Sequence, residues 1–348
     1  MSDLEKNIKV SQQTGQRLDL KKRVLIIDGL NTYLRSYVIN PSISPNGEPV
    51  GGLKGFLMSL QKYCRDINPT DIVVVWDGPG GSIKKKRINR GYKEGRKPVR
   101  LNRNIRLLDE KQEVTNKIWQ QTRLVQYLNE MPVCQLMLEN VEADDIISHV
   151  AQSGVFSGQQ KVIISSDKDF LQCCDKETVL YRPLPKQNFE IMNTVSVCEN
   201  YKIHPVNIAV ARALSGDKSD NLSGIPGVGL KTVAKKLPFL GESVSYSPEH
   251  VLEYCLDNAQ DGKNSFYKKV LNDEKKFLQN YKMMQLKTPM LSAQAAIAVR
   301  RTLAESEYKF NRTAFRAHMM KDGFDMERNN FSELFAFFNN ICLENRSK

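Results

Sequence analysis

Three short apolar runs frame the chain, and each ends on an acidic residue. Arg23-Val24-Leu25-Ile26-Ile27 leads to Asp28, and Ile72-Val73-Val74-Val75-Trp76 leads to Asp77. Lys161-Val162-Ile163-Ile164-Ser165-Ser166 leads to Asp167, with Asp169 two residues on. β-Branched runs of this kind read as strands buried on both faces, as in a parallel sheet. Elsewhere the apolar period lengthens to that of helices. One helix is expected from about Asn31, a second is marked by Phe56, Leu57, Leu60 and Tyr63, and a longer one is predicted from about Ile105 to Glu130, where Pro132 stops it. Val133 to Leu138 reads as a further strand, and Glu142 to Val150 opens a helix with Ile146, Ile147 and Val150 on one face. From Pro205 the pattern is helical with short turns, and no strand is expected there. The organisation read from this is a polar, flexible tail over 1–22, an α/β region over 23–200 and a helical region over 201–348. Ligands of an open α/β sheet bind beyond the carboxyl ends of its strands, where the acids fall.

Composition changes that picture in one respect. The 348 residues carry a net charge of +12, which favours a polyanionic partner, nucleic acid before an anionic membrane surface. No long basic amphipathic helix supports the membrane alternative, no apolar run reaches the roughly 20 residues of a membrane span, and the N-terminus has no signal-peptide pattern. A cytoplasmic setting is expected. The seven scattered cysteines contain no C-x-x-C pair and read as reduced thiols, and with four scattered histidines a zinc site is not expected.

A basic chain that gathers acid at one edge points to bound cations. Asp28, Asp77, Glu142, Asp144, Asp145, Asp167, Asp169, Asp217 and Asp220 supply carboxylates without histidine or cysteine companions. Such a set suits hard cations, Mg²⁺ or Mn²⁺. Two ions about 4 Å apart clamp the attacking and leaving oxygens of a phosphodiester. Read singly, each Asp is an ordinary cap or turn residue. Asp217-Lys-Ser-Asp-Asn is not a calcium loop, because Leu222 and Val228 stand where Gly and Glu are needed, and Leu230 breaks a P-loop reading of 224–232. That glycine-rich segment reads instead as a hairpin between helices. Gly227 and Gly229 allow close approach of a phosphate, and Lys231, Lys235 and Lys236 add charge. Residues 82–111 hold twelve Lys and Arg side chains with Tyr92 as their one aromatic. They read either as a solvated charge run or as an arm that closes on a strand, with Tyr92 stacking on a base and Lys93 and Arg96 on phosphates. Phe331, Leu334, Phe335 and Phe338 follow helical spacing, as core packing or as a peptide for a partner protein.

In order, Asp28-Gly29-x-Asn31 with Arg35, Val75-Trp76-Asp77-Gly78, Tyr92-Lys93-x-x-Arg96-x-Pro98, Glu142-Ala143-Asp144-Asp145, Ser166-Asp167-x-Asp169 and Gly216-Asp217-Lys218-Ser219-Asp220-Asn221 before Gly224-Ile-Pro-Gly-Val-Gly229 form one series over about 23–240. The series resembles the flap endonuclease and 5′-nuclease family, which includes the 5′-nuclease domain of bacterial DNA polymerase I. In its length the chain is most similar to the T-even-type phage ribonuclease H branch, which implies a host-cytoplasm setting. The resemblance implies a PIN-like fold: a central mostly parallel sheet flanked by helices, a helical arch over 82–111, and a helix-hairpin-helix around 205–240 in the C-terminal region. It implies a structure-specific 5′-3′ nuclease, acting by two Mg²⁺ ions (with Mn²⁺ able to substitute) on branched, nicked or RNA-primed duplexes and removing primers in replication. Asp28, Asp77, Glu142, Asp144 and Asp145 are then expected mainly around one ion, Asp167 between the two, and Asp169, Asp217 and Asp220 mainly around the other. By the same resemblance Lys93 and Arg96 steady the scissile phosphate, Tyr92 stacks on the nucleobase and Arg35 contacts the substrate backbone. A monomer is expected, with a sliding clamp or single-strand-binding protein as possible partners. The rival readings are a catalytically degenerate branched-DNA binding protein and a PIN-type ribonuclease.

Overall fold

The structure is a computed structural model that describes residues 19–96, 100, 108–185, 188–259, 265–324 and 331–346. Its six main strands are β1 (Asp19–Asp28), β2 (Asp71–Trp76), β3 (Cys134–Met137), β4 (Gln159–Ile164), β5 (Thr178–Pro183) and β6 (Phe189–Met192). They stand in the order β3-β2-β1-β4-β5-β6. All neighbours run parallel except the edge pair β5–β6. The mostly parallel α/β sheet expected from the apolar runs is therefore present, with those runs at its centre.

Register explains why the acids meet. Asp28 lies opposite Val75, and Ile27 lies opposite Ile164. The three strands therefore end level, and the next residues, Asp77 and Ser165 to Asp167, leave the sheet at the same edge as Asp28. Alternation divides the side chains between two cores. Val24, Ile26, Val73, Val75 and Ile163 enter one, and Leu25, Ile27, Ile72, Val74, Val162 and Ile164 enter the other.

Helices cover both faces. The first half contains α1 (Gly29–Ile39), α2 (Gly51–Ile67), the short α3 (Ile83–Ile88), α4 (Glu110–Asn129) and α5 (Ala143–Gln152). After the sheet come α6 (Thr194–Tyr201), α7 (Ile208–Ser215), α8 (Leu230–Lys236), α9 (Pro248–Asn258), α10 (Ser265–Asn272) and α11 (Glu274–Met284). The chain ends with α12 (Ala293–Glu305), α13 (Arg312–Lys321) and α14 (Ser332–Arg346). Side chains of α5, α7 and α12 pack in one core, and those of α1, α2, α4, α13 and α14 pack in the other. Phe331, Leu334, Phe335 and Phe338 are buried in the second, as the core reading of their spacing expected. No helix among the described residues is long and apolar enough to cross a membrane.

Several boundaries differ from the expectations. β1 begins at Asp19, inside the expected tail, because Asp19 finds a backbone partner at Gln159 across an irregular register. Residues 1–18 lie outside the described residues. α4 starts at Glu110, since Asp109 and Gln112 form a reciprocal capping box there. β5 and β6 were not expected, because a Pro-terminated run and a half-exposed edge lack the continuous apolar pattern. Beyond Pro205 two-residue strands β7 (Gly216–Asp217) and β8 (Leu222–Ser223) pair around the 218–221 turn.

Candidate active site

The strand-end acids are held in place by helix starts and turns at the same sheet edge. Asp28 caps α1, accepting from Asn31 N–H at 3.1 Å on Oδ1 and from the Ser165 hydroxyl at 2.9 Å on Oδ2. Asp77 Oδ1 accepts from Ala143 N–H at 3.0 Å, which joins the end of β2 to the start of α5. Asp167 Oδ1 accepts from Asp169 N–H at 2.8 Å and opens a 3₁₀ turn over Lys168–Cys173. These Asp residues are caps, as the plain reading has it. They are also caps that face one another.

Charge crowding shows in their proton affinities. Burial first, then the Asp77 and Asp167 charges, push the Asp28 carboxyl up to about 7. Burial raises Asp169 to about 7 as well, with Asp167 and Asp217 adding and Arg212 opposing. Asp144, in the first turn of α5, is raised well above the ordinary carboxyl value by burial, with the Lys85 and Lys93 charges opposing and the Asp167 and Glu142 charges adding.

Protein cations answer part of this charge. Lys85 Nζ and Lys93 Nζ each lie 2.6 Å from Glu142, on opposite carboxylate oxygens. Against the cost of burial, the two ammonium groups hold Glu142 down to about 2. Arg212 bridges Asp169 and Asp217, and Arg96 pairs with Asp220. Ser219 N–H and hydroxyl take the other Asp217 oxygen at 2.7 and 2.6 Å.

The nine expected acids thus divide by what holds them. Glu142, Asp217 and Asp28 have both oxygens claimed by protein donors. Asp220 pairs with Arg96. Asp145 is turned to the C-terminal region, where its Oδ1 accepts from Met290 N–H at 2.7 Å; adjacent residues of a helix point about 100° apart, so it does not share the heading of Asp144. Among the described residues no donor reaches Asp144, and one oxygen remains unclaimed on each of Asp77, Asp167 and Asp169. As they stand, no three His, Cys, Asp or Glu side chains among the described residues converge to hold a metal ion, because Lys and Arg already sit among several of them. The donor set nonetheless fits a hard divalent cation. It is all carboxylate oxygen, and open oxygens remain on Asp77, Asp144, Asp167 and Asp169.

The base of the basic segment is built onto this cluster. Lys93 N–H donates to Asp220 O at 2.9 Å, and Asn221 Nδ2 donates to Gly91 O at 2.8 Å. Lys93 adopts φ +58°, a left-handed conformation uncommon outside glycine. Tyr92 corrects its expected role. Its ring is 1% exposed, packs with Leu222, Met283 and Met284, and its hydroxyl donates to Glu142 Oε2 at 3.1 Å. A ring so placed cannot stack on a base. Residues 97–99 and 101–107, the rest of the expected arch, lie outside the described residues.

The hairpin stands between α7 and α8. Gly227 has φ +77° with open space around it, and Gly229 precedes α8, on which Lys231 and Lys235 are exposed and Lys236 half-buried. Arg35 donates to Pro183 O at 2.6 Å and lines a cleft of about 680 Å³ with Lys54, Lys62 and Arg65, apart from the carboxylates.

Two participants were not singled out from the sequence. Lys85 is 5% exposed but belongs to a run of like charges in which nothing marks the buried one. Arg212 was legible: it is the lone charge in the apolar run Ile208-Ala-Val-Ala-Arg-Ala-Leu.

The family model described as "5'-3' exonuclease, N-terminal resolvase-like domain" matches residues 23–202. A 5'-3' exonuclease of Aquifex aeolicus is 31% identical over 223 residues, covering 63% of this chain and 70% of the relative. DNA polymerase I of Bacillus subtilis is 30% identical over 221 residues, 62% of this chain, which spans only 23% of that longer protein. The T5 5'-exonuclease structure with bound zinc ions shares the fold, with a TM-score of 0.63, 14% identity, and 82% of this chain and 99% of that one covered.

Proposed function

This chain belongs to the 5′-3′ exonuclease family, and from that premise we propose that it is a structure-specific 5′-3′ nuclease. Its proposed substrates are branched, nicked and RNA-primed duplexes, with removal of RNA primers as the role. The observation that carries this reading is the unclaimed carboxylate oxygen of Asp77, Asp144, Asp167 and Asp169 at one sheet edge, beside the Lys93 and Arg96 cations. The zinc ions of the T5 relative and the hard donor set support a divalent cofactor, read here as two Mg²⁺ ions with Mn²⁺ as substitute. When bound, such cations supply positive charge where a phosphodiester is attacked and where its leaving oxygen forms.

The chain's own residues position the reaction. Asp28 and Ser165 tie β1 to the end of β4, so the acids keep their spacing. Tyr92, packed beneath Lys93, sets the Glu142–Lys93 pair rather than touching the base. Lys93 and Arg96 are the exchangeable cations. A phosphate entering the cleft takes them from Glu142 and Asp220, and there they offset charge in the transition state. Lys231, Lys235 and Lys236 hold duplex by its phosphates and read no sequence.

A non-cutting branched-DNA binder is the rival. It has no use for unclaimed carboxylate oxygens in a cleft meant for phosphate. The deciding experiment uses 5′-labelled flap, nicked and RNA-primed duplexes, with Mg²⁺ and with excess chelator. Cleavage near the 5′ end in Mg²⁺ alone is expected. Binding without cleavage in Mg²⁺ or Mn²⁺ supports the rival, and undiminished cleavage in chelator overturns the metal reading.

A further inference from the structure

We propose that Arg212 is a positioning residue that serves as a built-in cation for half of the acidic cleft, so that the free protein takes one divalent ion readily and a second only in competition with Arg212. The inference rests on the metal reading above. It deepens that reading by making the two halves of the cleft unequal.

Arg212 lies in the middle of α7 and is 7% exposed. Its Nε pairs with Asp169, and its Nη2 lies 2.5 Å from Asp217 Oδ2. The two acids come from different parts of the chain, one from the turn after β4 and one from the turn after α7. A planar guanidinium fork fixes their separation, as a point-charge ammonium would not. Asp217 has no oxygen left, since Ser219 takes the other one. The other half of the cleft differs. Asp144 has no Lys or Arg within ion-pair distance among the described residues, and Asp77 and Asp167 each keep an open oxygen. A cation entering beside Asp77, Asp144 and Asp167 meets oxygens that no Lys or Arg holds, because the nearby Lys85 and Lys93 are paired with Glu142. One entering beside Asp169 and Asp217 meets a resident positive group and must share or displace it.

Neutralising Arg212 at constant bulk therefore has an effect opposite to that of ordinary damage. It should tighten cation binding at the second position. The test is Mn²⁺ titration of the full chain without nucleic acid, with free Mn²⁺ read by electron paramagnetic resonance. For the parent, one ion is expected to bind roughly tenfold or more tightly than the next. In Arg212→Met the two affinities should converge through a gain at the weaker position. Arg212→Lys, which keeps the charge and loses the fork, should keep the parental inequality. Arg212→Gln gives the same comparison if the Met variant does not fold, with circular dichroism as the check. Two equal sites in the parent overturn the inference, as does a folded neutral variant whose second affinity is unchanged or weaker. No Mn²⁺ bound by the folded parent removes the metal reading and this inference together, whereas one tight ion in parent and neutral variants alike removes this inference alone.

Discussion

Asp144 is the acid with the least support from the protein, and its substitution separates chemistry from stability. Asp144→Asn should abolish cleavage while duplex binding persists. Because the carboxylate is crowded by burial and by Asp167, the same change should raise the melting temperature in chelator. A parental cleavage rate with Mg²⁺, or a lower metal-free melting temperature, contradicts that placement. The raised acids also set a pH dependence. Asp28 and Asp169 titrate near 7 when folded and near 3.8 when unfolded. The folded state thus binds more protons between those values, and metal-free stability should fall as pH rises from about 4 to about 7. Glu142 works in the opposite sense. Its value of about 2 gives stability above its ordinary 4.5 that is lost as pH falls toward 2. Metal-free melting curves across pH 3 to 8 should show a maximum on the acid side of neutrality, and a flat profile refutes the crowding. Tyr92 gives a sharper residue-level test. Tyr92→Ala should destabilise by about 3–5 kcal/mol, as other buried aromatic truncations do, and Tyr92→Phe far less. An exposed stacking residue would show neither loss. Burial of Tyr92 could not be read from the sequence, because its packing partners Met283 and Met284 lie some 190 residues away in the chain.

Elements were legible in proportion to how fully the sheet buries them. β1, β2 and β4 declare themselves by unbroken apolar runs, and the acids at their ends follow from parallel pairing. β5 and β6 do not, since Pro183 closes one and the other is an exposed edge. The acidic constellation was legible as a set, but which acids are spent on Arg, Lys or backbone N–H was not, because that depends on contacts between segments. The two basic elements should fail differently. Lys93→Ala with Arg96→Ala should chiefly lower the single-turnover rate, because both side chains sit among the carboxylates. Lys231, Lys235 and Lys236 replaced by Ala should instead weaken duplex binding and flatten its salt dependence. Equal losses of affinity alone in both variants would leave the 93–96 segment without a catalytic role.

At the scale of the whole molecule, the C-terminal helices act as part of the site's scaffold. Lys84 Nζ donates to Met290 O at 2.7 Å while Met290 N–H donates to Asp145, and Gln279 reaches Ile88 O at 2.5 Å. Gln172 exchanges hydrogen bonds with Met284 O and Leu286 N–H at 3.0 and 2.7 Å. The segment 279–290 is thus tied to the base of the basic segment, to α5 and to the turn after β4. Divalent cations should stabilise this whole assembly by mass action, by about 2.7 kcal/mol at a hundredfold excess over the dissociation constant, read as a melting shift against chelator. An unchanged melting temperature across a Mg²⁺ series argues against binding to the folded cleft.

The continuity of the core across residue 200 has a practical side for anyone dissecting the molecule. One apolar cluster runs from Val24 in β1 to Leu303 in α12, and the other from Leu25 to Ile341 in α14. A gene fragment ending near residue 202 would carry the acid-bearing sheet but leave both of its faces partly bare to water. Such a fragment should be recovered as inclusion bodies, and co-expression of the missing half as a separate chain should return it to the soluble fraction. The chain would then behave as a split enzyme whose two pieces complement one another, useful as a reporter of their proximity.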